Sequence, residues 1–233
     1  MQNQQPIEKP VRNEDGTFLD VVSIFPTIQG EGPFAGCPAV FVRLAGCNLQ
    51  CPLCDTDYTT ERMHCLVDSI ADEVRRVRGR ATLVVITGGE PFRQPIRKLV
   101  DALLVDGYRV QIETNGTLYR ELDFKHRRLT IVCSPKTGSV NQKLLPHIAA
   151  FKYVATLRAL ALSRDGLPMN ALDHPSAPVL FRPDVHHPAE VYLQPVDEQD
   201  ERLNEQNLDA VVHACRTYGH RLCLQLHKII QLP

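Results

Sequence analysis

The chain has 233 residues, 43% of them hydrophobic, with a net charge of −1. That is enough apolar material for one packed domain, and the near-neutral balance excludes the strongly basic character expected of a nucleic-acid or membrane-surface binder. No apolar run is long enough to span a bilayer and the polar opening carries no export pattern, so a cytoplasmic location is expected.

In chain order, residues 1–19, beginning "MQNQQPIEKPVRNEDG", read as a flexible N-terminal extension, and 20–233 as a single domain. "AVFVRLAG" (39–46) predicts a strand that delivers Cys47 at its end. Residues 66–78 place Val67, Ile70, Ala71, Val74 and Val77 on one helical face. "TLVVI" (82–86) is a continuous apolar strand. Ile96, Leu99, Val100, Leu103 and Leu104 then follow at helical spacing and stop at Asp106-Gly107. Strands are predicted over 108–113, 129–134, 151–156, 191–194 and 221–226, with a helix through Leu208, Val211, Val212 and Cys215 before the last. The stretch 164–190 holds Pro168, Pro175, Pro178, Pro183 and Pro188 and reads as a long surface excursion. Strands alternating with helices, several of them apolar without alternation, predict an α/β fold: a mostly parallel sheet, open or barrel-like, with helices outside.

Ligands collect at the carboxyl ends of strands in such folds. Five predicted strand ends carry unusual turns: Cys47, "TGGEP" (87–91), "ETNG" (113–116), "SPK" (134–136) and "QPVD" (194–197). The cysteines sharpen this. "GCNLQCPLCDTDY" (46–58) spaces Cys47, Cys51 and Cys54 as C-x3-C-x2-C. A tight cluster of reduced thiols in a cytosolic chain points to metal or catalysis. A structural zinc site needs a fourth ligand, for which Cys37, His64 or Cys65 could serve. A four-iron cluster held by three thiolates instead leaves one iron open to a small molecule that carries an amine and a carboxylate. The remaining cysteines, among them Cys133 and Cys223 in apolar runs, read as small buried hydrophobes.

The C-x3-C-x2-C arrangement resembles the signature of the radical S-adenosylmethionine superfamily. The ordered set "IFPTIQGEG", "VRLAGCN", "CDTDY", "ITGGEP", "IETNG", "VCSPK", "LQPVD" and "QLHKIIQLP" narrows it. Together they look like the 7-carboxy-7-deazaguanine synthase family, from about residue 20 to the end. Activating enzymes of that superfamily, which act on a protein partner, share the cysteines and a similar glycine-rich turn and are the alternative.

This resemblance implies a partial, incomplete parallel βα barrel of the radical SAM type. It implies conversion of 6-carboxy-5,6,7,8-tetrahydropterin to 7-carboxy-7-deazaguanine with loss of ammonia, in the deazapurine pathway toward queuosine. It implies a [4Fe-4S] cluster on Cys47, Cys51 and Cys54, and S-adenosylmethionine bordered by Leu53, Cys54, Asp55, Gly89, Glu90, Ser134, Pro135, Lys136, Gln194, Pro195, Val196 and Asp197. Gly88 and Gly89 would let backbone approach that ligand, and Glu90 would accept from its ammonium. Mg²⁺ would sit on Thr56. The pterin would be lined by Ile28, Gln29, Gly30, Arg43, Thr87 and the terminal carboxylate of Pro233, with the Arg43 guanidinium suited to the substrate carboxylate. An electron donor such as flavodoxin or ferredoxin and a homodimer are also implied, with no nucleic acid or membrane partner. The tail departs from the family pattern at Leu226 and Ile229, which leaves its detailed contacts open.

Overall fold

The computed structural model describes residues 5–12, 14–52, 54, 56–58, 62–170 and 179–232. Its frame is a nine-stranded sheet. The strands are β1 (Phe18–Ile28), β2 (Pro38–Leu44), β3 (Met63–Leu66), β4 (Leu83–Gly88), β5 (Arg109–Thr114), β6 (Leu129–Cys133), β7 (Ile148–Ala155), β8 (Glu190–Pro195) and β9 (Arg221–Leu222). They are ordered β3-β1-β2-β4-β5-β6-β7-β8-β9. β1 runs antiparallel to both β2 and β3, and every pairing from β2 through β9 is parallel. β3 and β9 stand at opposite edges, so the sheet is open, an incomplete barrel.

Side chains alternate across each strand with a period of two, and this alternation builds the two faces. Val40, Val42 and Leu44 of β2, Val84 and Ile86 of β4, Val110 and Ile112 of β5, Ile131 and Cys133 of β6, and Phe151 and Tyr153 of β7 join one large core. Helices α1 (Val67–Val77) and α2 (Arg97–Val105) bury Val67, Ile70 and Val74, and Leu99, Val100, Leu103 and Leu104, into that same core. A short α3 (Leu157–Leu160) follows β7. The long α4 (Glu201–Tyr218) starts on Asp200, whose carboxylate accepts from the Leu203 amide at 3.0 Å, and stops at Gly219, φ 79°. The intervening residues Phe41, Arg43, Thr87, Glu113, Val132, Lys152, Val154 and Gln194 point the other way, into a cavity. Its face carries only small apolar clusters, around Val132 and Tyr192 and around Ala39 and Val85.

Several sequence expectations need correction. β1 and β3 were not anticipated. Pro26 interrupts the apolar pattern of β1, yet it pairs with Val40 where β3, which reaches only Val21, no longer flanks the strand. A proline costs no ladder bond on a one-sided stretch. The predicted last strand, 221–226, shrinks to Arg221–Leu222, and the chain turns into α5 (Leu226–Ile229). The amide of Leu226 donates to Gly30 O at 3.2 Å, which anchors that turn on the β1 end.

The proline-rich stretch is not wholly a surface excursion. Leu167 and Leu180 join the core, and the Arg182 guanidinium gathers the carbonyls of Leu167, Pro168 and Leu180 beside Asp165. Residues 171–178 lie outside the described residues.

The described residues 7–11 of the N-terminal extension are bonded to the body of the domain. Ile7 bridges Cys47, the Glu8 amide donates to Cys47 O at 2.7 Å, and the Val11 amide donates to Arg93 O at 2.8 Å. Polar composition suggested flexibility; these long-range backbone bonds supply the partners that a local reading cannot see.

Candidate active site

The carboxyl ends of β2, β4, β5, β6 and β8 open on one cavity of about 510 Å³. Cys47, Cys51, Cys54, Thr56, Thr87, Gly89, Ser134, Lys136, Gln194, Val196, Asp197, Ile28, Gln29 and Arg43 all line it. Gly30, Glu90, Pro135 and Pro195 do not. Leu53, Asp55 and Pro233 lie outside the described residues.

The cysteine loop leaves β2 through Gly46, whose φ of 78° suits glycine. Its carbonyl accepts from the Glu90 amide at 3.0 Å, and its amide donates to Tyr58 O at 3.0 Å. Tyr58 is buried at 1% exposure and closes the loop through its hydroxyl on Leu49 O. Burial pushes the Cys47 thiol up to about 12 and the Cys51 thiol upward as well, so loading a metal group here must release protons.

The donor set distinguishes between metals. Among the described residues no three His, Cys, Asp or Glu side chains converge closely enough to hold one ion. The candidate fourth zinc ligands are elsewhere: His64 bonds Asp20 and stacks on Phe18, Cys65 packs on the main core, and Cys37 packs beside Ala39. A cluster that offers each thiolate its own iron needs no such point of convergence. Three thiols on one cavity wall, with no fourth ligand beside them among the described residues, fit a cluster better than a tetrahedral zinc.

Gly88 and Gly89 line the cavity and also meet a packing constraint. A Cβ on Gly88, φ 132°, would lie 2.1 Å from Leu44 O, and one on Gly89 would lie 2.1 Å from Gly46 O. Gly88 lets the end of β4 pack against Leu44 of β2, and Gly89 lets the following turn pack against the start of the cysteine loop.

Glu90 is likewise a strut. It is 0% exposed, and its carboxylate accepts from the Phe92 amide, the Thr114 hydroxyl and the Asn115 amide at 2.9, 2.8 and 2.7 Å. It ties the β4 turn to the β5 turn. Burial raises its pKa from 4.5 to about 7, against the pull of those three donors and of Lys136.

The cavity floor was not anticipated. Lys152, buried in the apolar run of β7, pairs with Glu31 and stands 3.9 Å from Glu113. Gln194 and Gln225 donate to Glu31 at 3.2 and 2.9 Å; Gln29 and Gln111 donate to Glu113 at 3.0 and 2.8 Å. Burial opposes charge on both partners, but the Lys152 ammonium holds Glu31 below the usual carboxylate range, and the two carboxylates hold Lys152 above the usual lysine range. A lysine inside an apolar central strand was the available signal, since a buried ammonium must find carboxylates. Gly30 faces the tail: a Cβ there would strike His227 Nδ1 at 2.2 Å.

Arg43 contrasts with Lys152. It is half-buried beside Phe25, 5.9 Å from the ring centroid, and has no carboxylate partner among the described residues.

An open parallel sheet with three cysteines at the end of its first parallel strand defines a radical S-adenosylmethionine protein, and residues 42–133 match the Radical SAM superfamily. The crystal structure of QueE from Escherichia coli shares the fold, with a TM-score of 0.68 at 24% identity over 89% of this chain and 94% of that one. A 7-carboxy-7-deazaguanine synthase of Rhodospirillum rubrum is 44% identical over 225 residues, 94% of each chain. Another from Rickettsia prowazekii is 39% identical over 96% of this chain and 92% of its own. This chain belongs to the 7-carboxy-7-deazaguanine synthase family.

Proposed function

We propose that this chain converts 6-carboxy-5,6,7,8-tetrahydropterin to 7-carboxy-7-deazaguanine with loss of ammonia, serving deazapurine synthesis. The observation that carries the substrate reading is the Arg43 guanidinium, which faces the cavity without a carboxylate partner among the described residues while Glu31, Lys152 and Glu113 pair on the same cavity. In this reading Cys47, Cys51 and Cys54 hold a [4Fe-4S] cluster, and Gly89, Ser134, Lys136, Gln194, Val196 and Asp197 border S-adenosylmethionine. When bound, the cluster and its cofactor supply an electron and a carbon-centred radical.

The chain's own residues bind, orient and exclude water. Arg43 pairs with the substrate carboxylate through its planar fork, which a lysine cannot reproduce. The floor sets two carboxylates against one ammonium, so an acceptor remains for the N–H edge of an aminopyrimidine. Thr56 offers an oxygen to Mg²⁺, a hard cation that takes few protein ligands and keeps waters. Electrons come from a flavodoxin- or ferredoxin-type donor, and the working unit is a homodimer.

The test compares binding of the 6-carboxy pterin with that of tetrahydropterin lacking the carboxylate, in wild type and Arg43→Ala. Wild type should prefer the carboxylate by about 10-fold or more, and the variant should lose the preference, as expected for a charge-assisted pair. Equal preference in both proteins removes Arg43 from the substrate site. Mass spectrometry of the anaerobic, cluster-loaded, reduced enzyme then reads the ring-contracted product.

A further inference from the structure

The N-terminal segment reaches the cysteine loop at every level of its backbone. Gln5 spans the stretch around Thr56: its amide Nε2 donates to Thr56 O at 2.8 Å, and its Oε1 accepts from the Tyr58 amide at 2.7 Å. Gln50 of the loop answers by donating to Gln5 O at 2.7 Å. Two residues on, Ile7 and Glu8 pair with Cys47.

Glu8 also carries charge inward. Arg93 is 5% exposed, and among the described residues its one carboxylate partner is Glu8, at 3.2 Å. Arg93 Nη2 donates to Ala45 O at 3.1 Å, and its guanidinium fills the space that a Cβ on Gly46 would need. Arg120 completes the seam by donating to Val11 O and Arg93 O at 2.6 and 2.8 Å. A buried guanidinium without its carboxylate is strongly destabilising. The segment is therefore part of the site's support rather than a tail laid over it.

We propose that residues 5–12 form a positioning strap, in which Gln5 fixes the backbone on both sides of Asp57, immediately after Thr56, and Ile7–Glu8 fix Cys47. The strap sets where the cysteine loop and the Thr56 oxygen stand relative to the strand ends. This inference rests on the proposed metal role of Thr56 for its kinetic consequence, but not for its structural one. Gln5 is a positioning residue; it acts through Thr56 and Tyr58.

The experiment uses the full chain carrying Gln5→Ala and, separately, Gln50→Ala, which loosens the same contact from the loop side. Amide hydrogen exchange on the cluster-free chain should show the Tyr58 amide and its neighbours in 47–58 opening about five- to tenfold faster, while β5 and β6 amides stay at wild-type rates, as expected for loss of one net hydrogen bond. In the loaded enzyme the Mg²⁺ concentration for half-maximal rate should rise about threefold or more, with KM for S-adenosylmethionine within about twofold. Wild-type exchange across 47–58 in both variants overturns the strap. So does a Mg²⁺ requirement that moves only in step with the cofactor KM. Thr56→Ala is the control. If it leaves the Mg²⁺ requirement unchanged, the metal reading fails and the exchange rates alone decide the strap.

Discussion

The cysteine loop and the cavity floor face the same space and are built in opposite ways. The loop is one short run, 46–58, tied to the body by Gln5, Glu8 and Glu90 and by its own Asn48 and Gln50, which donate to Thr117 and Gln5. The floor gathers Gln29, Glu31, Glu113, Lys152, Gln194 and Gln225 from distant stretches, and much of it stands on central strands. Behind Lys152 lie Phe151 and Tyr153, both 0% exposed and packed in the main core. The loop concentrates its chemistry in sequence and borrows its rigidity; the floor inherits rigidity from the sheet and disperses its chemistry. A change in the loop should therefore cost function and little stability, and a change in the floor should cost both.

The sharpest break in that comparison is Cys51→Ser. We expect loss of bound iron and acid-labile sulfide and product below detection, with a urea midpoint near wild type because the residue lies on a loop. Unfolding of the variant would erase the distinction. Next is Lys152→Met, which leaves Glu31 and Glu113 buried without their cation. The expected loss is about 3–5 kcal/mol by urea titration, together with weaker pterin binding. A loss under about 1 kcal/mol would mean that the floor is not a fixed ion pair.

Glu90 joins the two regions, and pH reads its contribution. The folded chain raises its pKa from 4.5 to about 7, so the native state binds the proton more tightly than the unfolded chain. The linked stability is complete below pH 4.5 and is lost as pH rises through about 7, an effect on the order of 3 kcal/mol. Glu90→Gln should remove this part of the slope. Parallel stability profiles for the two proteins between about pH 5 and pH 8 would contradict the raised pKa. The smallest effect is expected at Arg43, the floor-side residue without a carboxylate partner. Arg43→Ala should weaken binding of the carboxylated pterin by about 1.5–3 kcal/mol and leave stability within about 0.5 kcal/mol. Arg43→Lys should recover only part of the binding, since a point charge lacks the fork.

Legibility followed the same division. Cys47, Cys51 and Cys54 announce themselves by spacing, and the turns at 87–91, 113–116, 134–136 and 194–197 by glycine, proline and charge after apolar runs. Lys152, Glu31 and Glu113 carry no shared spacing; they meet because the segment after β1, the end of β5 and the middle of β7 face one cavity. The Glu90 partners Thr114 and Asn115 lie at the next parallel strand's end, so its burial and bonding are visible only in the folded chain. The strap reads as loose in sequence because its composition is polar, and its bonds run to residues about forty or more positions away.

By itself the sequence determined the alternation of strand and helix, the mostly parallel sheet, and a chemistry of three thiolates at a strand end. Those depend on periodicity and on spacing within one turn, which are local. Tertiary structure alone decided that the sheet stays open, that glycines 88 and 89 serve packing, that a buried ion pair floors the cavity, and that residues 5–8 bond the cysteine loop. Each of these is a meeting of groups far apart in the chain. Only the closure of long loops onto a common core brings their charges and backbone donors within bonding distance.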